Sequence, residues 1–371
     1  MLFKDFCIEE IKRIIQQIFS NLNGYNIEVY GSYATGLMIE ASDIDIKIRL
    51  NNGIDLENIF TSLCNKLKEE NKFDEINPIR TASVPVIKLL LNPIKFIKGK
   101  EELENKFKQF KEMSIYKHYL FDIKELINIK IDVTFILPNY INQIKPNDNV
   151  INNDNEKLTN NEISSVSYVK EQIIKYPEVK FILRVLKRYF YIKKMNTSFL
   201  GGISSYNLFL LLLSYAIFNR NNNSKNEENK KEMNLGKFFY EFLNFFSRFN
   251  FKDCIIDIGS KLNKGECPYS VLDISDDKYK NLGYGKSLVI IDPLSGVNAS
   301  KSSYKIDEIS NTFYNAFDYF VNEINEYERG GYKNQKYNKN NNENMVMGLN
   351  NQNKNNDSNG GGNIIEKFLL K

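Results

Sequence analysis

Three asparagine-rich tracts, Asn139–Asn161, Asn219–Asn234 and Gly330–Asn363, set the terms on which this chain can fold. Such polar stretches bury too little apolar surface to offset the entropy of ordering them, so the cores must form from what lies between. The first two read as insertions or connections. The third, with Gly330-Gly331 and Gly360-Gly361-Gly362, reads as a disordered tail. A prion-like role for these tracts is the alternative, and their dilution with Lys and Glu weakens it. With 371 residues, 42 % of them hydrophobic, the remaining segments suffice for two cores.

The two halves differ in pattern. Short β-branched runs at Ile27–Tyr30, Asp43–Leu50, Val84–Leu91 and Ile129–Leu137 predict strands, and helical spacing marks 2–20, 54–71 and 101–112. The first 140 residues or so are therefore α/β. From 163 to 320 the pattern turns helical: Ser165–Tyr176, Val179–Lys194, Ser204–Phe218, Leu235–Phe249 and Ile306–Asn325, with one extended piece at Ser287–Ile291. We expect an N-terminal helix (1–20) packing on the helical half, an α/β domain at 21–138, an Asn-rich connection at 139–162, a helical domain at 163–328 and a tail at 329–371.

Several function classes drop out. Fifty Lys and Arg against 46 Asp and Glu leave a net charge of +4, too small for a histone-like coat. The single histidine, His118, and four cysteines without a CxxC pair cannot build the usual zinc frameworks, and the thiols read as reduced. The N-terminus is charged from Lys4 onward and lacks a signal-peptide apolar core. The run Leu208–Phe218 is too short to span a membrane. The expectation is a soluble protein of the cytoplasm or nucleus.

The informative stretch is Val29–Ile48, VYGSYATGLMIEASDIDIKI. A strand enters Gly31-Ser32, a short helical segment follows, and a second strand carries Asp43 and Asp45. Spacing of i, i+2 places both carboxylates on one face, where they repel unless a cation sits between them. Oxygen donors of this kind suit Mg²⁺ or Mn²⁺. Gly31 permits close approach of a ligand, and Ser32 with the amides that follow suits an anion such as a triphosphate. Asp132, alone in the apolar strand Ile131–Phe135, is a third carboxylate that completes a two-metal arrangement for phosphoryl transfer. The plain alternative is an Asp pair at a solvated strand edge.

The pattern G-S-x-x-T-G-L…S-D-I-D resembles the DNA polymerase β-like nucleotidyltransferases. Val84-Pro85-Val86-Ile87-Lys88, then Leu186-Lys187-Arg188 with Gly201-Gly202-Ile203-Ser204-Ser205-Tyr206, then Ile291-Asp292-Pro293-Leu294 with Asn298 and Ser302-Ser303-Tyr304, resemble the non-canonical poly(A) polymerase and terminal uridylyltransferase family, in the family's order. The resemblance implies an α+β fold. A nucleotidyltransferase palm of mixed β-sheet with helices would join a mainly helical central, PAP-associated domain, with the active site in the cleft between them. It implies metals on Asp43, Asp45 and Asp132. It implies triphosphate contacts from Gly31, Ser32, Lys187, Ser204 and Ser205, a base stacked on Tyr206, and Asn298 in the nucleotide site. By themselves Lys187 reads as a solvated helix lysine and Tyr206 as core.

Departures from the family pattern bear on specificity. Tyr191 stands where many relatives carry a second lysine, and Val297 where uridine-selective relatives often carry histidine. The implied activity is template-independent addition of nucleotides to an RNA 3′ end, from ATP by preference, with UTP as the alternative. A 2′-5′ oligoadenylate synthase, a small-molecule nucleotidyltransferase and a non-enzymatic scaffold are the competing readings. No zinc knuckle or RNP1-like signature is present, so an RNA-binding partner protein would supply acceptor choice.

Overall fold

The structure, a computed structural model, describes residues 2–20, 24–51, 53–80, 84–92, isolated positions from 95 to 105, 129–137, 155–223, 234–259, 267–271 and 286–329. His118, most of the 92–126 segment and the tail from 330 lie outside the described residues. The chain divides between Lys175 and Tyr176 into two compact units.

The first unit runs α1 (Leu2–Phe19), β1 (Tyr25–Tyr30), α2 (Gly31–Ala34), β2 (Ile44–Leu50), α3 (Leu56–Glu69), β3 (Phe73–Ile79), β4 (Val86–Leu91), β5 (Ile129–Ile136) and α4 (Asn155–Lys175). The strands form one mixed sheet in the order β1-β2-β5-β4-β3, with β2 and β5 parallel and the other neighbours antiparallel. Alternation along the strands decides the faces. Ile44, Ile46, Ile48 and Leu50 of β2, Ile131, Val133 and Phe135 of β5, and Ile87, Leu89 and Leu91 of β4 are all buried in one core. The apolar stripes of α1 (Cys7, Ile8, Ile11, Ile14, Ile15, Phe19) and α3 (Ile59, Phe60, Leu63, Cys64, Leu67) close over them. The opposite face of the sheet keeps its polar residues.

Three expectations change. The N-terminal helix, expected to pack on the helical half, gives its apolar stripe to the α/β core. Charge reinforces the docking: Lys72 reaches Glu10 at 2.9 Å and Glu70 at 2.8 Å, and Arg13 binds Glu10 at 3.0 Å. The second half of the supposed connection is helical, since α4 runs from Asn155 to Lys175 before Pro177 starts the next helix. The strand β3 carries no strong sequence signal, and Pro78 argues against it. It stands at the end of the sheet order, where a missing backbone donor costs little.

The second unit holds α5 (Pro177–Ile192), a 3₁₀ turn (Ser198–Leu200), α6 (Ser205–Asn223), α7 (Leu235–Ser247), β6 (Cys254–Asp257), β7 (Tyr269–Val271), β8 (Val289–Ile291) and α8 (Ile306–Glu328). Leu208 through Leu213 of α6 are each at most 1 % exposed, so this helix is buried on every side there. Phe242 and Phe246 of α7 pack against Phe313 of α8, the first edge-on and the second tilted. A small sheet, β7-β6-β8, adds an edge to the helices, with β6 parallel to β8. Among the described residues no helix is long and apolar enough to cross a membrane.

The Glu10 network gives a pH test. The Arg13 guanidinium, with Lys72, holds the Glu10 carboxyl down at about 2, against an ordinary 4.5. A depressed carboxyl contributes stability above its unfolded pKa and loses it as pH falls through the folded one. Glu10→Gln should therefore lower Tm at pH 7, and the gap from the parent should close as the pH is taken from about 4.5 towards about 2. Thermal melts across that range check it; a gap constant with pH would remove the ion pairs from the account.

Candidate functional site

The polar face of the first sheet carries one row of side chains across four strands. Tyr30 of β1 stands opposite Asp45 of β2, Asp45 opposite Asp132 of β5, and Asp132 opposite Lys88 of β4. The row exists because each strand alternates, with an isoleucine or valine on either side of each carboxylate pointing into the core. Two of the three expected carboxylates are thus immediate neighbours on parallel strands.

Asp43 precedes β2 by one residue and is partly buried. Burial raises its pKa, and the charge of Asp132 raises it further; Lys130, Lys88 and Lys4 pull the other way. Asp43 and Asp132 therefore share one field, and Asp45 stands opposite Asp132 on the neighbouring strand. Lys88 Nζ donates to Asp132 Oδ2 at 2.5 Å, so a cation already stands on the third carboxylate. Among the described residues, no group of three or more His, Cys, Asp or Glu side chains is gathered closely enough to hold a metal. The residues nevertheless fit a hard divalent ion. The donors are all carboxylate oxygens, and burial together with the charge of Asp132 raises the Asp43 pKa, which a bound cation would offset.

Gly31 links β1 to this row. Its φ is +66°, a conformation that glycine adopts without cost, and a Cβ there would collide with the Asp45 carboxylate. The strand end and the carboxylate can approach because the side chain is missing. The helical segment after Gly31 is a single turn, α2, so an anion at Gly31-Ser32 would be held by local amides and the Ser32 hydroxyl rather than by a helix dipole. Thr35 closes the turn by donating its hydroxyl to the Gly31 and Ser32 carbonyls at 3.2 Å each. The loop then descends to Asp43, where Ser42 Oγ accepts from the Ile39 amide at 2.9 Å. Lys4 of α1 donates to the Glu40 and Ser42 carbonyls at 3.1 and 2.8 Å. Sequence reasoning missed Lys4. Its only signal is a lysine near the start of an otherwise amphipathic helix.

The remaining expected residues lie in the second unit. Lys187 of α5 is 5 % exposed, which excludes the reading as a solvated surface lysine. Tyr191, at the place of the family's second lysine, instead takes the Arg188 guanidinium over its ring, 5.4 Å from the centroid. Ser204 caps α6, its hydroxyl oxygen accepting from the Asn207 amide at 3.1 Å. Ser205 is exposed on the first turn. The Tyr206 ring stacks on Phe209 at 6.1 Å, and its hydroxyl donates to Asp292 at 3.1 Å.

Asn298 departs from expectation. It is buried, its amide donates to the Leu288 carbonyl at 2.9 Å, and its oxygen accepts from the Ile290 and Ser300 amides. The side chain supplies the hydrogen bonds that this loop backbone needs, so it holds the loop. The loop also presents Val297, more than half exposed, at its tip. Asp292, quoted in its motif but given no role by sequence, accepts from Tyr206, from the Leu294 amide and from Ser295.

With this geometry in place, comparisons with known proteins give a consistent result. Residues 3–103 match a family model described as the central palm domain of mitochondrial-like poly(A) RNA polymerases. The chain is 28 % identical over 173 residues to poly(A) RNA polymerase gld-4 of Caenorhabditis elegans, which covers 46 % of this chain and 20 % of that protein. Among solved structures, the polymerase core of TRAMP, an RNA surveillance complex, aligns with a TM-score of 0.59 at 21 % identity, covering 86 % of this chain and 80 % of that one. The Cid1 poly(U) polymerase, in a crystal structure with MgGTP bound, aligns at 0.54 and 15 % identity, covering 86 % and 88 %. At such identities the structures speak for the fold. The chain spans less than half the length of the curated relatives it matches.

Gly31→Ala tests the link between β1 and the carboxylate row. It should cost about 1–2 kcal/mol for the left-handed backbone, plus the cost of displacing the Asp45 carboxylate. In an Asp45→Ala background the second part should vanish. Urea denaturation of the four proteins in the cycle checks it, and fully additive effects would mean that Gly31 and Asp45 do not press on each other.

Proposed function

We propose, from the premise that the chain belongs to the non-canonical poly(A) polymerase and terminal uridylyltransferase family, that it adds nucleotides to RNA 3′ ends without a template, taking adenylates from ATP. The observation that carries the reading is the placement of Asp45 and Asp132 side by side on the polar sheet face, with Gly31 against the Asp45 carboxylate.

In this reading Asp43, Asp45 and Asp132 hold Mg²⁺ or Mn²⁺, which fits an all-oxygen donor set. Bound there, a divalent ion supplies charge stabilisation for phosphoryl transfer. Gly31 and Ser32 cradle the triphosphate through backbone amides and a hydroxyl. The resemblance gives Lys187 and Ser205 the role of further phosphate contacts. Tyr206, fixed by Phe209 and Asp292, offers a flat face to the base. Ser204 and Asn298 serve by holding the helix start and the loop around that ring. Acceptor choice falls to a partner protein that binds RNA.

Exchange of both Asp43 and Asp45 for alanine should abolish nucleotide addition while leaving Tm unchanged or raised, because it removes like charges from one face. Extension of a labelled oligo(A) with Mg²⁺ and each nucleoside triphosphate in turn, run beside a melt, checks both. Extension by the double variant would take these residues out of the metal site. Short labelled products formed without RNA would instead favour a 2′-5′ oligoadenylate or small-molecule activity.

A uridylyltransferase is the second reading, because a stacking platform such as Tyr206 tolerates any base. Val297 supports ATP in this reading: an exposed valine offers no donor for a uracil edge. ATP should exceed UTP several-fold in kcat/KM, and Val297→His should shift the ratio towards UTP. Competition of equal ATP and UTP on one RNA checks it, and a uridine preference in the unmutated protein would overturn the assignment.

A further inference from the structure

Lys88 sits at the end of the carboxylate row, and nothing so far has given it work. It faces Asp132 across antiparallel strands, on the polar side of the sheet, with its ammonium on Oδ2. The other cations near the row are placed differently. Lys4 is committed to two backbone carbonyls, and Lys130 lies two residues before Asp132 on the same strand. Lys88 makes a direct ion pair with Asp132, at 2.5 Å.

The chemistry of such a pair is specific. Neighbouring carboxylates need positive charge whenever no metal is present. A lysine is a point charge on a flexible four-carbon stem, so it can satisfy that need and then swing away. Its side chain is 47 % exposed, which leaves room to move without breaking the core. An ion pair at this exposure is weak, so a divalent ion can displace it.

We infer that Lys88 is a placeholder cation: it neutralises Asp132 in the metal-free protein and is displaced when a divalent ion binds the row. Lys88 is thus a positioning residue that keeps the third carboxylate in place between turnovers and sets how readily the metal enters. The inference rests on the function proposed above, since it takes Asp43, Asp45 and Asp132 as the metal ligands.

The test uses the full chain, stripped with EDTA, and Mn²⁺ alone as probe in calorimetric titrations. Lys88→Met should bind Mn²⁺ tighter than the parent, by roughly two- to tenfold, because the competing charge is gone. Its metal-free Tm should fall, because the repulsion in the row is no longer offset. Lys88→Arg, whose fork grips a carboxylate more firmly, should bind Mn²⁺ no tighter than the parent. Combining Lys88→Met with Asp132→Asn should erase the gain. Equal or weaker Mn²⁺ binding by Lys88→Met, or a gain that survives Asp132→Asn, overturns the inference and leaves the metal site standing. If Lys88→Met does not fold, Lys88→Arg decides, and tighter binding by it overturns the inference. Mn²⁺ binding that is absent from the parent, or unchanged by the paired alanine exchange at Asp43 and Asp45, overturns the proposed site itself and the inference with it.

Discussion

Asp45 and Asp132 stand opposite each other on neighbouring parallel strands. Strands lie about 4.8 Å apart, and like charges held on neighbouring strands repel unless a cation offsets them. Asp43 adds a third carboxylate to the same field. Most of the first unit answers to this arrangement. The carboxylates can stand there only because the sheet buries one face and leaves the other polar. Gly31 can lie against Asp45 only because it has no side chain. Three lysines, Lys4, Lys88 and Lys130, approach from three different elements to hold the charge down.

The rigidity of that face comes from the other one. Two helices close over an isoleucine-rich layer, and the layer fixes strand register, since a slip by one residue would turn every carboxylate into the core. The N-terminal helix does more than cover. Through Lys4 it holds the two carbonyls that lead into Asp43, and through Glu10 and Arg13 it is tied to the turn before β3. Its docking thus links stability of the core to the position of the first carboxylate.

The second unit solves a different problem. A loop after β8 must be held in place while its tip stays exposed. Asn298 and Ser300 do this from beneath, with hydrogen bonds to the backbone of Leu288 and Ile290. Asp292 then receives the Tyr206 hydroxyl. The ring is fixed on its other side by Phe209. Buried amides and hydroxyls here act as scaffolding for one aromatic face.

Periodicity alone placed β1, β2, β4 and β5 and the principal helices of the second unit, because alternation and the 3.6-residue repeat are local properties of burial. The i, i+2 aspartates, the lone Asp132 and the Gly31-Ser32 turn were visible for the same reason: each is costly in its local setting unless it serves a ligand. Neighbourhood across the sheet was not visible. That Asp45 meets Asp132, that Lys88 reaches Asp132 and that Lys4 clamps the loop at Glu40 and Ser42 depend on strand order and helix docking, which bring together residues far apart in the chain. The edge strand β3 was hidden by Pro78, whose tolerance depends on having no neighbour beyond it in the sheet order. Asn298 read as a ligand contact because a motif records which residue is present, whereas burial and hydrogen-bond partners, set only by the folded loop, decide which way its amide is used.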